Sequence, residues 1–257
     1  MNKRMENPSF LFYNIVMEKY LVEGNISVKA CLLANRRDVY EIYIDEKKKD
    51  KDLAYIIRQA QNKNLPVHRV PREKIEELAE GKTHGGCIAF VGERNYQELE
   101  DIEHPFYAIV EGIEDPFNFG YICRNLYAAG CHGLIVPTRN YSTAVTTVTK
   151  SSAGASEYIN IIPSDDIPSL VQQLQSKGVK LYCAMRNDAI VYTQADFKEG
   201  CIVALGGEKR GLSKQILALS DQNICIQYAN DFKNALNGSS ATSIIAFEVL
   251  RQRSKKK

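Results

Sequence analysis

Residues 107–137, YAIVEGIEDPFNFGYICRNLYAAGCHGLIVP, constrain the fold of this chain more than any other stretch. The opening apolar run, 107–110, is short and β-branched enough for a buried strand. A turn carrying Asp115-Pro116 follows, with Asn118 placed to cap the next element. Tyr121, Ile122, Leu126 and Ala129 then recur at helical spacing, Gly130 supplies a C-terminal stop, and 134–136 is a second strand. The spacing therefore predicts a strand–helix–strand unit, the building block of a parallel sheet. Asp115, Asn118 and Arg124 fall on or just after the loop at the first strand's carboxyl end, where such units carry chemistry. Asp115 and Asn118, each taken alone, also suit a plain turn or cap. Arg124 can snorkel past Ile122, Leu126 and Ala128, but a guanidinium at a strand end more often meets a phosphate or carboxylate. The turn lacks G-x-G-x-x-G, which excludes a dinucleotide fingerprint.

The rest of the chain has room for a second, smaller unit, and at 257 residues with 44% hydrophobic content it can bury a full core. Residues 1–98 read as a small α/β domain. Within it, 21–25 reads as a loop, 28–34 as a helix, and 40–44 as an alternating strand. An amphipathic helix carries Leu53, Ile56, Ile57 and Ala60, followed by a strand at 65–70, a helix at 74–79 and a strand at 88–91. His84, beside two glycines, reads as part of a turn. The charged stretch 92–104 reads as a linker, with 99–104 joining the first domain to a second over 105–257. There, 167–177 reads as a helix closed by Gly178, 179–184 and 201–205 as buried strands, and 224–226 as a strand leading into a long helix to about 253.

Three of these strands run into loops rich in Asn, Glu or Gly: 115–118 after the first, 206–212 after the second, and 227–239 after the third. If the strands are neighbours, the loops converge on one edge of the sheet and form a single pocket.

Charge and cysteine content narrow the function classes. The 33 basic and 31 acidic residues leave only +2, so net charge does not announce a nucleic-acid partner. The cations do cluster, at Lys47-Lys48-Lys49 with Lys51, at Arg36-Arg37, and at Arg251, Arg253 and 255–257; such runs are usually solvated surface. The 7 cysteines are scattered with no C-x-x-C pair, and with 4 histidines they offer no zinc pattern. Free cysteines, and the lack of an apolar leader or of an 18-residue apolar run, lead us to expect a cytoplasmic protein without a membrane span.

The three loops, in this order and spacing, resemble the three motifs of the SpoU (TrmH-type) RNA ribose 2′-O-methyltransferases of the SPOUT superfamily. The first is carried by Asp115, Pro116, Asn118, Gly120, Arg124, Ala128-Ala129 and Gly130. The second is carried by 205–208 with Gly211-Leu212, and the third by Leu236-Asn237 and Ser239. Lys150, Ser152, 153–155 and Glu157 resemble the family's K-x-S-A-G-A-x-E, and Gly24-Asn25 with His84-x-Gly86 resemble its ribosomal-protein-like substrate-binding domain. The resemblance implies a C-terminal SPOUT domain with a mostly parallel sheet and a deep trefoil knot, an exception to the rule that chains do not knot. It implies S-adenosylmethionine as cofactor, contacted by Gly206, Ile226 and Leu236. It also implies a homodimer with the active site at the subunit interface, and a catalytic cluster of Asn118, Arg124, Glu208 and Asn237. RNA is the implied substrate, ribosomal before transfer RNA, with no metal.

The family often gives Arg124 the task of activating the ribose hydroxyl. Because a guanidinium keeps its proton, the role that suits it better is to hold a phosphate and stabilise the developing alkoxide. Asn118 and Asn237 would orient it, and Glu208 would pair with an arginine or accept a hydrogen bond. The third motif departs from the family's I-P-M, glycine, S-L-N-V-S: Gln227 replaces the proline, Asn230 the glycine, Ala235 the serine, and Gly238 the valine. That departure keeps an alternative open, a catalytically impaired RNA-binding protein that retains the fold.

Overall fold

The computed structural model describes residues 18–138, 144–207 and 209–254. Glu208, the lysines at 255–257 and the start of the small-residue stretch before Ala144 lie outside them.

The N-terminal module is a four-stranded sheet of β1 (Tyr20–Glu23), β2 (Val39–Asp45), β3 (Val67–Val70) and β4 (Cys87–Val91), in the order β1-β4-β2-β3. β4 is antiparallel to both neighbours and β2 is parallel to β3. Helices α1 (Asn25–Ala34), α2 (Lys51–Asn62) and α3 (Arg72–Leu78) complete it. Residues 20–23 are thus a strand rather than the expected loop: β1 buries Val22 and Glu23 completely and pairs with β4, a partner far along the chain. Gly24 (φ +91°) makes the turn into α1.

The second module is a seven-stranded, wholly parallel sheet. Along the chain run β5 (Phe106–Glu111), α4 (Pro116–Ala128), β6 (Gly133–Pro137), α5 (Val145–Ser151), α6 (Ala155–Tyr158), β7 (Ile161–Ser164) and α7 (Ile167–Ser176). Then come β8 (Lys180–Ala184), β9 (Ile190–Val191), β10 (Cys201–Gly206), α8 (Lys214–Ala218), β11 (Gln222–Cys225) and α9 (Gly238–Arg253). The strand order is β7-β6-β5-β10-β8-β11-β9.

Both faces of the sheet are covered, so its central strands are apolar throughout. Side-chain alternation divides them: Phe106, Ala108 and Val110 of β5 join a core with α4 and α9, while Tyr107 and Ile109 join one with α7 and α8. The first strand–helix–strand unit is as expected, with one change. Asp115, not Asn118, caps α4: its carboxylate accepts the N–H groups of Phe117 (3.4 Å) and Asn118 (3.0 Å), and Pro116 takes the first helical position. Asn118 lies within the first turn.

Two further expectations change. β8 lies between β10 and β11, so the three loop-bearing strands are not all adjacent. The charged 92–104 stretch is not a free tether either. Arg94 is buried and donates to the carbonyls of Ser156 (2.6 Å) and Ile159 (2.8 Å), and Leu99 packs on the core shared with α7 and α8. Among the described residues no helix is long and apolar enough to cross a membrane.

Candidate active site

At the carboxyl ends of β10, β8 and β11 the structure opens a cavity of about 680 Å³, within the range of small-molecule sites. Its frame is backbone. β10 ends on Gly206, and Gly206, Gly207 and Gly211 all line the wall. A Cβ on Gly206 would stand 2.2 Å from the carbonyl carbon of Gly211 and 2.4 Å from the nitrogen of Leu212. One on Gly207 would stand 2.2 Å from the carbonyl oxygen of Gly112, in the loop after β5. These approaches need glycine, and they leave bare peptide groups beside the cavity. Leu205, Ile224 and Ile245 form an apolar floor, while Asn187, Asn230 and Asp231 bring polar groups.

The opposite wall is the loop between β11 and α9. Two side chains fasten it. The Tyr228 hydroxyl accepts the N–H of Leu236 at 2.9 Å. Arg186, from the loop after β8, donates to the carbonyls of Lys233 and Phe232 (3.2 Å for the latter) and lies 6.0 Å from the Tyr228 ring centroid. Sequence reasoning missed Met185, Arg186, Asn187 and Tyr228. The missed signal was the pattern used elsewhere: a buried strand, 180–184, running straight into a polar turn.

Of the residues singled out from the sequence, Gly206, Ile226 and Leu236 all line the cavity. Asn118, Arg124 and Asn237 do not. Asn118 is half-buried in the first turn of α4. Arg124 is exposed and makes no hydrogen bond or ion pair among the described residues. Asn237 caps α9, its Oδ1 accepting from the Ser240 N–H (2.8 Å) and the Ser239 hydroxyl (3.1 Å). The first and third motifs nevertheless meet. α4 packs on α9, with Asn125 Nδ2 donating to the Ser239 carbonyl at 3.4 Å. A Cβ on Gly238, a cavity residue, would stand 2.8 Å from Ile113 Cδ1. The loops after β5, β10 and β11 therefore converge, the first two as ends of neighbouring strands and the third, across β8, through the Gly238–Ile113 and Asn125–Ser239 contacts. Cys123, beside Arg124, is fully buried, and burial pushes its thiol up to about 12, so it offers no thiolate nucleophile near neutral pH.

Residues 105–247 match the model of the SpoU rRNA methylase family, and residues 21–97 match that for RNA 2′-O ribose methyltransferase substrate binding. The chain belongs to the SpoU family of RNA 2′-O-ribose methyltransferases. Among its relatives is the 23S rRNA (guanosine-2′-O-)-methyltransferase RlmB of Shewanella oneidensis, 30% identical over 241 residues that span 91% of this chain and 97% of the relative. Another is the putative TrmH family tRNA/rRNA methyltransferase YacO of Bacillus subtilis, 26% identical over 242 residues, or 91% and 96% of the two chains. A crystal structure of an RNA 2′-O ribose methyltransferase shares the fold with a TM-score of 0.78 at 19% identity, covering 92% and 90% of the chains. The SpoU methyltransferase AviRb of Streptomyces viridochromogenes, solved in complex with the cofactor AdoMet, does so with a TM-score of 0.77 at 20% identity, covering 91% and 90%.

The SpoU-like segment from Lys150 to Glu157 serves a different place from the cavity: it faces the N-terminal module. Lys150 Nζ lies 2.8 Å from Glu23 Oε2, and Glu23, fully buried, also accepts the N–H groups of Glu80 (2.7 Å) and Gly81 (2.9 Å). Burial opposes ionisation of Glu23, but Lys150 and those two N–H groups outweigh it and hold the carboxyl below its usual range. Glu157, 1% exposed, stands between Arg37 (3.0 Å) and Arg94 (3.5 Å). Gly154 (φ +79°) lets the chain approach α1, where a Cβ would stand 2.6 Å from that of Ala30. Val145 of α5 joins the core of the N-terminal module. Two buried carboxylates, Glu23 and Glu157, thus sit in the seam of this SpoU chain with one ammonium and two guanidinium groups.

Proposed function

We propose that this SpoU enzyme transfers the methyl group of S-adenosylmethionine to a ribose 2′-hydroxyl of ribosomal RNA, acting in the cytoplasm as a homodimer. The observation that carries this is the glycine-framed cavity, where three loops meet at the carboxyl ends of parallel strands. Its residues fit the cofactor: an apolar floor suits a purine, and the bare peptides at 206–207 and 226–228 offer donors and acceptors to its polar edges. When bound, the cofactor supplies a methyl group made electrophilic by a sulfonium. Gly206, Ile226 and Leu236 hold it, and the Tyr228 and Arg186 contacts keep the loop closed where the family's proline and glycine are missing. This support favours an active enzyme over the impaired alternative.

Arg124 fits the task of gripping an RNA phosphate and stabilising the developing alkoxide, since it is charged, exposed and uncommitted among the described residues. By the family resemblance, Asn118, Asn237 and Glu208 share the catalytic cluster with Arg124; Asn118 stands on the same helix, α4, and Asn237 caps α9. The dimer brings Arg124 to a cavity that it does not line within its own subunit. Phe117, Tyr121 and Phe247, 54%, 45% and 44% exposed, give α4 and α9 an apolar face suited to a second copy. Phe117, Tyr121 and Arg124 share one side of α4 at four- and three-residue spacing. The family's knot belongs to the same reading. Ribosomal RNA is favoured by the matched family's description and by the relative named for 23S rRNA.

The test is Arg124→Ala. It binds S-adenosylmethionine with wild-type affinity by calorimetry and transfers no methyl group to ribosomal RNA, scored by mass spectrometry of 2′-O-methylnucleosides. Retained turnover refutes the role of Arg124, and wild-type methylation of transfer RNA alone refutes the substrate.

A further inference from the structure

Among the described residues that line the cavity only two carry charge, and their signs are opposite: Arg186 and Asp231. Arg186, in the loop after β8, donates to the carbonyls of Phe232 and Lys233. Those bonds fix its guanidinium against the segment that carries Asp231, the residue before Phe232. They use one N–H on each terminal nitrogen, so three of the five guanidinium donors stay open. Asp231 is exposed and has no hydrogen bond or ion pair among the described residues, with Arg186 or any other. A donor fork and a bare carboxylate thus share one stretch of the rim. Neither residue is among those that carry the family resemblance.

Such a pair suits a ligand that carries both charges on one carbon, as an α-amino acid does. A carboxylate ligand alone would bring like charge to Asp231, and an ammonium alone would bring it to Arg186. We propose that Arg186 receives the carboxylate, and Asp231 the ammonium, of the cofactor's methionine tail. The proposal rests on the reading of the cavity as the S-adenosylmethionine site and adds two side chains to its backbone frame. An arginine fork meets a carboxylate through two parallel bonds, which sets the direction of the tail as well as holding it. The carboxylate of Asp231 has no donor of its own and offers only acceptors, as an ammonium requires. A ligand without the tail leaves both charges unmatched, so the pair selects for the intact amino-acid end.

The test is calorimetric titration of the full chain with S-adenosylhomocysteine and with 5′-methylthioadenosine, thioethers that share the nucleoside and differ by the amino-acid tail. Asp231→Asn should weaken binding of the first roughly five- to tenfold and leave the second at its wild-type affinity. Arg186→Gln also frees the loop and weakens both, so its tail contact is read as a further loss, again roughly five- to tenfold, in the ratio of the two affinities. Asp188→Asn, the same charge removed from a residue outside the cavity lining, should leave that ratio unchanged. Asp231 and Arg186 variants with the wild-type ratio overturn the proposal, as does an Asp188 variant that shifts it equally. A wild type that binds the two thioethers equally well overturns it too, and leaves the cofactor reading standing. A wild type that binds neither refutes both.

Discussion

Gly206→Ala tests the cavity wall directly. The new methyl would stand 2.2 Å from the carbonyl carbon of Gly211, where ordinary contact begins at 3.4 Å, so backbone must retreat by about 1.2 Å. No flexible side chain can yield instead, because the three nearest atoms are all main chain of Gly211 and Leu212. Overpacking of this kind costs about 1–3 kcal/mol. Loosening the 2.9 Å bond from the Gly211 N–H to the Gly207 carbonyl adds about 1 kcal/mol. The total is about 2–4 kcal/mol. The free protein can relieve the clash by letting the 207–212 loop swing off β10. Cofactor binding needs the wall back, so most of the penalty should fall on affinity. At about 1.4 kcal/mol per tenfold, the Kd for S-adenosylmethionine rises at least 30-fold or so in calorimetry. Any part not relieved lowers Tm by about 2–4 °C per kcal/mol. An alanine variant whose Kd stays within about threefold of wild type, corresponding to less than about 0.7 kcal/mol, with an unchanged Tm, would refute the close approach and the backbone-framed site with it.

Tyr228→Phe removes the acceptor for the Leu236 N–H and should weaken cofactor binding about fivefold, equivalent to about 1 kcal/mol, with little change in Tm; an unchanged Kd would show that Tyr228 does not hold the loop. Glu157→Gln leaves Arg37 and Arg94 buried without their counter-charge and should destabilise the chain by about 3–5 kcal/mol in urea unfolding, whereas a surface effect would stay below about 1 kcal/mol. Because the folded carboxyl of Glu23 titrates below its usual 4.5, the stability it contributes is present above that pH and is lost as pH falls through the lower folded value. Urea midpoints of Glu23→Gln should accordingly fall less steeply with acidification than those of wild type; parallel profiles would exclude Glu23 from the acid transition.

What the sequence disclosed follows the range of the forces involved. The β5–α4–β6 unit was legible because its periodicity and turn residues are local. Gly206, Ile226 and Leu236 were named through the resemblance of their motifs to the SpoU family, and all three line the cavity. Asn118 was misread as the cap because Asp115 and Asn118 both favour caps, and only the position of Pro116 at the first helical residue separates them. β1 was hidden because four residues beside a Gly-Asn turn look like a loop until a partner some 65 residues away completes the ladder. Strand order was equally invisible: nothing local says that β8 inserts between β10 and β11, so Arg186 could not be tied to the cavity. The charged segment after β4 read as a tether because composition does not register that Arg94 finds its carbonyl partners across the seam.

That seam limits how such a chain can be recombined. A foreign substrate module grafted ahead of residue 105 would have to bring cations at the heights of Arg37 and Arg94 and a carboxylate for Lys150. Without them, Glu157 would be entombed bare, at a penalty comparable to much of a domain's net stability. Exchange of RNA targets by wholesale swapping of the N-terminal half is therefore blocked by a handful of buried charges. New specificity is left to arise by point changes on the module's outer faces, where the seam does not reach.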